Sequence, residues 1–576
     1  MDVTLRGNGP AANAVAAALA DCDSVAVTDA AFTTVDLAVV VGAVSDERFG
    51  RANDQALAAG TDWIAVELGG IGGVSAVEAA VVGLGATVCY ECLTSRVEAA
   101  TDDRTEHASA VESAAELPVR TKRFAGAVAG RMAAAAASAG AGDDHAVPGQ
   151  VVTVPYTERE LLAVPGCSCA PTVDRRSMTV GGVDRDREAS LDRAERAVDD
   201  VVGIVAEVGE AESFPAPYYL TQAGDTTGFS DTTAAQQAAG VSAEWNGALM
   251  KALGEALERY AAGVYRSGGF ETARPGDLQP AVAPDAFVTP ADATGSGEQA
   301  LAWVRGRNLH TGADTWLPAE LVQYPPPSSR LRPPITTGLG LGNGTVEALL
   351  SGLYEVLERD AAILSWYSTF DPLGLTVDDE LFGRLAARAR SEGLSVTPVL
   401  LTQDVDVPVV AVAVQREEWP RFALGTDADL DTASAARSAL AEALQNWMEL
   451  RGMGPDGAAA ASGAIGRYAR APDAAGAFVS PETTVPAASV GPNDPPAGEA
   501  ELRQVLERTA QAGLTAYAAR VTTRDLAALG FEASRVLLPT AQPLFFDNSY
   551  FGGRAHTVPQ ALGFEPRVDR DHHPFP

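Results

Sequence analysis

A helix-sized motif occurs twice in this chain and constrains it more than any other feature. The copies are Lys251-Ala-Leu-Gly-Glu255-Ala-Leu-Glu258-Arg259-Tyr260 and, about a hundred residues on, Gly352-Leu-Tyr-Glu355-Val-Leu-Glu358-Arg359-Asp360. Ala248, Ala252, Leu253, Ala256 and Leu257 give the first an apolar stripe, and Leu349, Leu350, Leu353, Val356 and Leu357 give the second, so both predict amphipathic helices. In each, two glutamates three apart and the arginine after the second share a face, because i, i+3 and i+4 project together. A third helix, expected over 435–450, carries Arg437, Glu442 and Gln445. Acid and amide groups from three helices suit a metal-bound polyphosphate, since Mg2+ takes oxygen ligands and bridges phosphates to one or two carboxylates. One such helix alone reads as a solvated face with ordinary Glu/Arg pairs; two copies followed by an ExxQ favour a shared site.

Between the copies lies Thr337-Gly338-Leu-Gly-Leu-Gly342-Asn343-Gly344, followed by Glu347-Ala348. Its glycines suit close approach of backbone to a ligand, or ordinary turns. There is neither a GxxxxGK[ST] loop nor a kinase-type glycine loop, so a nucleotide site here is of another kind. The order ExxER, glycine run, ExxERD, ExxQ, closed by His572-His573-Pro574-Phe575-Pro576, resembles the YcaO superfamily over roughly residues 215–576. The tail is similar to the PxPxP end of its azoline-forming members, with His572 standing where the first proline would be.

The resemblance implies an ATP-dependent peptide cyclodehydratase. A Cys, Ser or Thr side chain attacks its preceding carbonyl, the oxygen takes the γ-phosphoryl of ATP, and phosphate leaves to give an azoline. It implies Glu255, Glu258, Glu355, Glu358 and Glu442 as Mg-ATP ligands. Lys251, Asn343, Arg437 and Gln445 become nucleotide contacts, and Arg259, Arg359 and the terminal Pro576 catalytic residues. The two arginines can equally pair with neighbouring glutamates. A thioamide-forming enzyme using an external sulfur source, or a non-catalytic scaffold subunit, are the alternatives. A homodimer is the family expectation. The chain opens on a strand with no leader-gripping winged helix before it, so a separate leader-peptide-binding partner is expected beside the substrate peptide.

Charge narrows the remaining classes. Lys plus Arg is 42 against 76 for Asp plus Glu, a formal −34, and the only two lysines are Lys122 and Lys251. This composition fits a haloarchaeal-type cytoplasm, where the Debye length falls to about 3 Å at 1 M salt and self-repulsion is screened; a generic acidic protein is the plainer reading. It speaks against nonspecific nucleic-acid binding, which needs cationic grooves. No apolar run approaches the ~18 residues of a membrane span, and no secretory signal is visible, so a cytoplasmic protein is expected. Lys251, spared four residues before Glu255, reads as a phosphate contact.

A chain of 576 residues exceeds one core, and two domains are expected, 1–210 and 211–576, with Ser213-Phe-Pro-Ala-Pro217 near the boundary. The first begins strand, glycine turn, helix, with Gly7-Asn-Gly9-Pro-Ala-Ala as a degenerate dinucleotide fingerprint and Asp29 in place of its acid. Further short strands at 24–28, 37–41 and 63–67 make a Rossmann-like alternation, similar to the ubiquitin-activating-enzyme-like domain beside some YcaO enzymes; its turn reads as structural. Cys89-x-x-Cys92 and Cys167-x-Cys169 suit structural Zn2+ held by four thiolates, with a redox pair or unpaired core thiols as the alternatives, and Cys22 is left over, expected buried. Residues 124–141 and 191–208 read as helices, and 140–149, 281–297 and 454–472 as exposed loops. The second domain is expected to be α+β, with strands at 301–304, 395–401, 409–414 and 422–425. Trp366, Tyr367 and Trp447 read as core aromatics.

Overall fold

Segments such as Leu37–Ala43, Val- and Ala-rich and apolar on both faces, cannot sit at a surface, and they become central strands. A computed structural model describes residues 1–101, 114–138, 147–169, 178–181, 187–294, 299–460, 464–470, 473–546 and 548–576. Most of the loop expected at 140–149, and parts of those at 281–297 and 454–472, lie outside these residues.

The amino-terminal part is built on a seven-stranded sheet in the order Ala26–Thr28, Asp2–Arg6, Leu37–Ala43, Asp62–Leu68, Ala79–Leu84, Gln150–Val154, Thr157–Glu160. The first four strands run parallel and the remainder antiparallel. The helices Pro10–Ala20 and Val119–Ser138 pack tightly because Gly126 has no side chain: a Cβ there would lie 2.1 Å from the Ala11 carbonyl oxygen. Gly7 holds a φ of 131°, and its Cβ would meet the Val41 carbonyl at 2.6 Å, so this glycine serves the crossing of strand and turn.

The carboxy-terminal part contains a three-stranded sheet (Val205–Glu212, Tyr218–Ala223, Gln237–Val241), a six-stranded sheet and a five-stranded sheet. The motif helices, Trp245–Gly263, Thr345–Trp366 and Thr432–Ala460, pack on these sheets. Their apolar stripes are buried as the spacing requires, and Trp366, Tyr367 and Trp447 are core residues. Arg96 of the helix Tyr90–Thr101 is wholly buried against Asp525, which also accepts from the Tyr260 hydroxyl at 2.6 Å, so a buried ion pair joins the amino-terminal part to the first motif helix. Among the described residues no helix is long and apolar enough to cross a membrane.

Four expectations are revised. The helix expected over 191–208 is confined to Arg187–Glu195. The chain turns at its end, Val198 donating to the Glu195 carbonyl at 2.9 Å; Asp199 then accepts from the Val201 and Val202 amides, and the chain enters the strand Val205–Glu212, which spans residue 210. The alanine-rich stretch after Gly454 is partly helical: Gly454 kinks the third helix at φ 69°, and Pro455 begins its continuation. Within 281–297, Val282 and Phe287 are buried rather than exposed. Cys22 is half-buried rather than buried.

Candidate active site and cysteine cluster

One local arrangement recurs three times. Gly240, Gly340 and Gly425 each sit on a strand pressed against a motif helix, where a Cβ would fall 2.2 Å from the Ala252 nitrogen, 2.1 Å from the Ala348 oxygen and 2.3 Å from the Ala439 oxygen. This close approach lets a helix glutamate reach a backbone amide on the strand or, for Gly338, in the turn just before it. Glu255 accepts from the Ala239 amide at 2.9 Å, Glu355 from Gly338 at 3.0 Å and Glu442 from Thr426 at 2.6 Å. Each carboxylate is thereby fixed by one hydrogen bond from the backbone.

The second glutamates complete the group. Burial pushes Glu258 up to about 8, with Glu355 and Glu255 adding repulsion. Burial raises Glu358 despite Arg359 beside it and a hydrogen bond from the Thr426 hydroxyl. Burial also brings Glu442 to about 7 and lifts Asp427 well above the carboxylate range. Lys251 opposes both of these last shifts, so the lysine of the first helix faces the acids of the third unit. Like charges this close are costly, and they suit a site that takes up cations. Asp427 escaped the sequence reading because it lies on the strand Phe422–Ala428, outside the helical spacing that revealed the others. Its one signal was the Gly425-Thr-Asp427 run preceding the ExxQ helix.

A cleft of about 410 Å³ opens beside the first two helices, lined by Lys251, Glu255, Glu258, Asn343 and Glu347. Asn343 donates to Glu347 from its side chain and its amide, both at 2.8 Å, and accepts from Ser190 at 2.7 Å and from Arg193. Arg259 pairs with Glu255 and donates to the Gln237 carbonyl at 3.1 Å. Gln445 donates to Glu449 at 3.0 Å, and the Tyr218 hydroxyl donates to the same carboxylate at 2.8 Å. Arg437 pairs with Asp379 at 3.0 Å, and Asp379 also caps the helix Glu380–Ser391. That ion pair directs Arg437 toward the helix cap.

Arg359 donates to the Pro576 oxygen at 2.9 Å and lies 3.4 Å from Glu358. The tail is held firmly: His572, His573 and Phe575 are buried, Trp366 donates to the Asp571 carbonyl at 2.8 Å, and His573 Nε2 lies 2.7 Å from the Phe545 carbonyl. Burial, with His572 adjacent, pulls His573 down to about 3, so its ring is neutral and Nε2 is the donor. The departure at His572 from the PxPxP pattern leaves the tail seated against the second motif helix.

The four paired cysteines converge. Their sulfurs all lie within 4.8 Å of one another, with Cys89 to Cys92 at 3.9 Å, Cys89 to Cys167 at 3.4 Å and Cys92 to Cys169 at 3.5 Å. Four thiolates about a tetrahedral Zn2+, with Zn–S of about 2.3 Å, would stand roughly 3.8 Å apart. The Val164 amide donates to Cys92 at 3.3 Å, and Arg524 approaches Cys169 at 3.4 Å. Hydrogen bonds among the sulfurs drive Cys89 and Cys92 up and Cys167 and Cys169 down.

The same architecture occurs in solved heterocyclases. One, solved in complex with substrate and cofactor, superposes with a TM-score of 0.71 at 20% identity, covering 98% of this chain and 83% of that one. The heterocyclase TruD gives 0.66 at 20% identity, with coverages of 99% and 82%. This is therefore a mixed α/β protein of heterocyclase-like fold. Residues 239–542, more than half the chain, match the YcaO cyclodehydratase family, described as ATP- and Mg2+-binding, and the chain belongs to that family. An uncharacterized protein of Methanothermobacter thermautotrophicus is 30% identical over 223 residues, covering 36% of this chain and 56% of that one, so the match spans little more than half of that relative.

Proposed function

We propose that this protein is an ATP-dependent peptide cyclodehydratase. The observation that carries the reading is the trio Glu255, Glu355 and Glu442, each on a different helix and fixed by a backbone amide on or just before the facing strand, with the tail seated against the second helix at Arg359. The donor set fits Mg2+: oxygen ligands only, crowded enough that burial and mutual repulsion hold Glu258 near 8. When bound, Mg2+ neutralises phosphate charge and ATP supplies the phosphoryl group that makes an amide oxygen a leaving group.

The protein's own groups position the reaction. Lys251 and Asn343, which both line the cleft, are our nucleotide contacts; Gln445 orients Glu449 beside Glu255. The substrate's Cys, Ser or Thr attacks the preceding carbonyl carbon, closing a ring, and its proton passes to a base. We place that base at Pro576, whose oxygen accepts from Arg359. The preceding proline-rich residues serve to hold it still, since proton transfer demands hydrogen-bond reach.

We read the amino-terminal part as a Rossmann-like domain of the ubiquitin-activating-enzyme-like kind, on its parallel strand order, and its four cysteines as a structural Zn2+ site. A separate leader-binding protein and a homodimer belong to the same reading.

The test is ADP formation by wild type with Mg2+ and a candidate peptide in molar KCl, followed by mass spectrometry of the peptide. Peptide-dependent ADP release with loss of water from the peptide supports the reading. Exchange of oxygen for sulfur, requiring sulfide, would instead assign the thioamide reaction. Absence of nucleotide binding would reduce the chain to a scaffold.

A further inference from the structure

On a chain of net charge −34, a cationic and aromatic cleft calls for a reason. One of about 680 Å³, distinct from the cleft beside Lys251, is lined by Arg330, Arg332, Ile335, Phe545, Phe546 and Tyr550. Its wall is continuous with the tail, because the Phe545 carbonyl accepts from His573. Among the described residues Arg332 makes no hydrogen bond or ion pair.

Arg535 lies just inward. It is 2% exposed, on the strand Glu532–Leu537, where it faces Leu339 across the ladder. Its guanidinium donates to the carbonyls of Ile335 at 2.8 Å and Thr336 at 2.5 Å, and its Nε is buried without a partner. The segment it grips runs directly into Gly338, whose amide holds Glu355. No carboxylate is hydrogen-bonded to Arg535 among the described residues; Glu355 and Glu258 act on it from farther off. Burial, reinforced by Arg332, pulls it down to about 9, which leaves it charged at neutral pH. Asp292 also lines the cleft and Glu320 acts on Arg332 from nearby, but among the described residues neither guanidinium is hydrogen-bonded to a carboxylate, and two neighbouring guanidiniums so placed are expensive to bury unless an anion arrives. Guanidinium geometry suits phosphate.

We propose that Arg332 and Arg535 form the phosphate subsite of this centre, holding the phosphoryl group once it is on the peptide's amide oxygen and the orthophosphate that departs. This rests on the cyclodehydratase reading. In the departing step the nitrogen lone pair makes the C=N bond, the C–O bond breaks with its electrons onto phosphate, and the N–H proton leaves, giving azoline and hydrogen phosphate. Arg332 reaches the ligand from the open cleft; Arg535 anchors the subsite beside the glutamates.

The experiment is calorimetric titration of orthophosphate into the Mg-ADP complex of wild type, Arg332→Gln and Arg332→Lys. Because Arg332 makes no hydrogen bond among the described residues, both variants should fold, and their ADP affinity should equal that of wild type. Orthophosphate should bind about 10- to 100-fold more weakly to Arg332→Gln, the loss expected for one charged hydrogen-bonding partner, with partial recovery in Arg332→Lys. Equal orthophosphate affinity in all three, with ADP bound normally, overturns the proposal and leaves the functional reading standing. Failure of wild type to bind ADP removes that reading and the subsite with it.

Discussion

The cysteine cluster and the carboxylate centre both crowd groups that can carry negative charge, and they resolve the crowding differently. The four sulfurs stand at tetrahedral spacing with protein partners at the rim, including the Val164 amide and Arg524. Such a site is complete once one ion enters. Each anchored glutamate instead has one oxygen fixed by an amide, and burial, with repulsion inside the group added to it, holds Glu258 near 8 and Glu442 near 7. The first arrangement is built to close and the second to stay incomplete until cations and phosphate arrive. The difference is the one our proposal draws between a structural site and a working one.

On our reading of the cysteine cluster as a structural Zn2+ site, removing that ion gives the largest expected effect. Cys92→Ser, or treatment with a chelator, should lower stability by on the order of 5–10 kcal/mol, as loss of a structural metal does; thermal melts with metal analysis check it. A variant that melts normally would break the contrast. Next comes the link between the sites. Arg524 reaches Cys169, and its neighbour Asp525 pairs with buried Arg96 and accepts from Tyr260, next to Arg259 on the first motif helix. Asp525→Asn strands a buried cation and should cost about 3–5 kcal/mol in chemical denaturation. Glu355→Gln should do the reverse of both: peptide-dependent ADP formation falls about 10²- to 10³-fold, while the melting temperature holds or rises because repulsion with Glu258 is relieved. A destabilised Glu355→Gln would assign that glutamate to the scaffold.

The centre was legible where its signal was local. Glutamates at three-residue spacing on amphipathic helices define a face whatever the tertiary fold, so Glu255, Glu258, Glu355, Glu358 and Glu442 could be read in advance, and two close cysteine pairs announce themselves by spacing. Contacts between distant segments were not legible. Asp427 joins through the pairing of its strand with a helix, Arg535 through a sheet ladder with Leu339, and Arg96 through packing across the two parts of the chain. The helix expected over 191–208 ends at Glu195, and beyond it Asp199 captures two backbone amides, a side-chain competition that periodicity does not register. Arg437 has the motif's spacing, yet Asp379, from another helix terminus, sets its orientation.

The smallest effect is a pH dependence, and its sign distinguishes the two sites. Glu258 and Glu442 are held up at about 8 and 7 against an ordinary 4.5. Between pH about 4.5 and 8 the folded, nucleotide-free protein therefore binds more protons than the unfolded chain, and stability from these groups falls as pH rises through that window. The cysteine site runs the other way, since thiolates must shed protons to hold a metal and acid releases it. Melts between about pH 6 and 8.5 in molar KCl should decline by a few degrees without Mg-ATP. With Mg-ATP the decline should vanish, because cations hold the carboxylates ionised, and Glu258→Gln should flatten it without ligand. A nucleotide-free profile that rises with pH would place the dominant titration at the thiols and show that the carboxylates are not under the mutual strain that an open site requires.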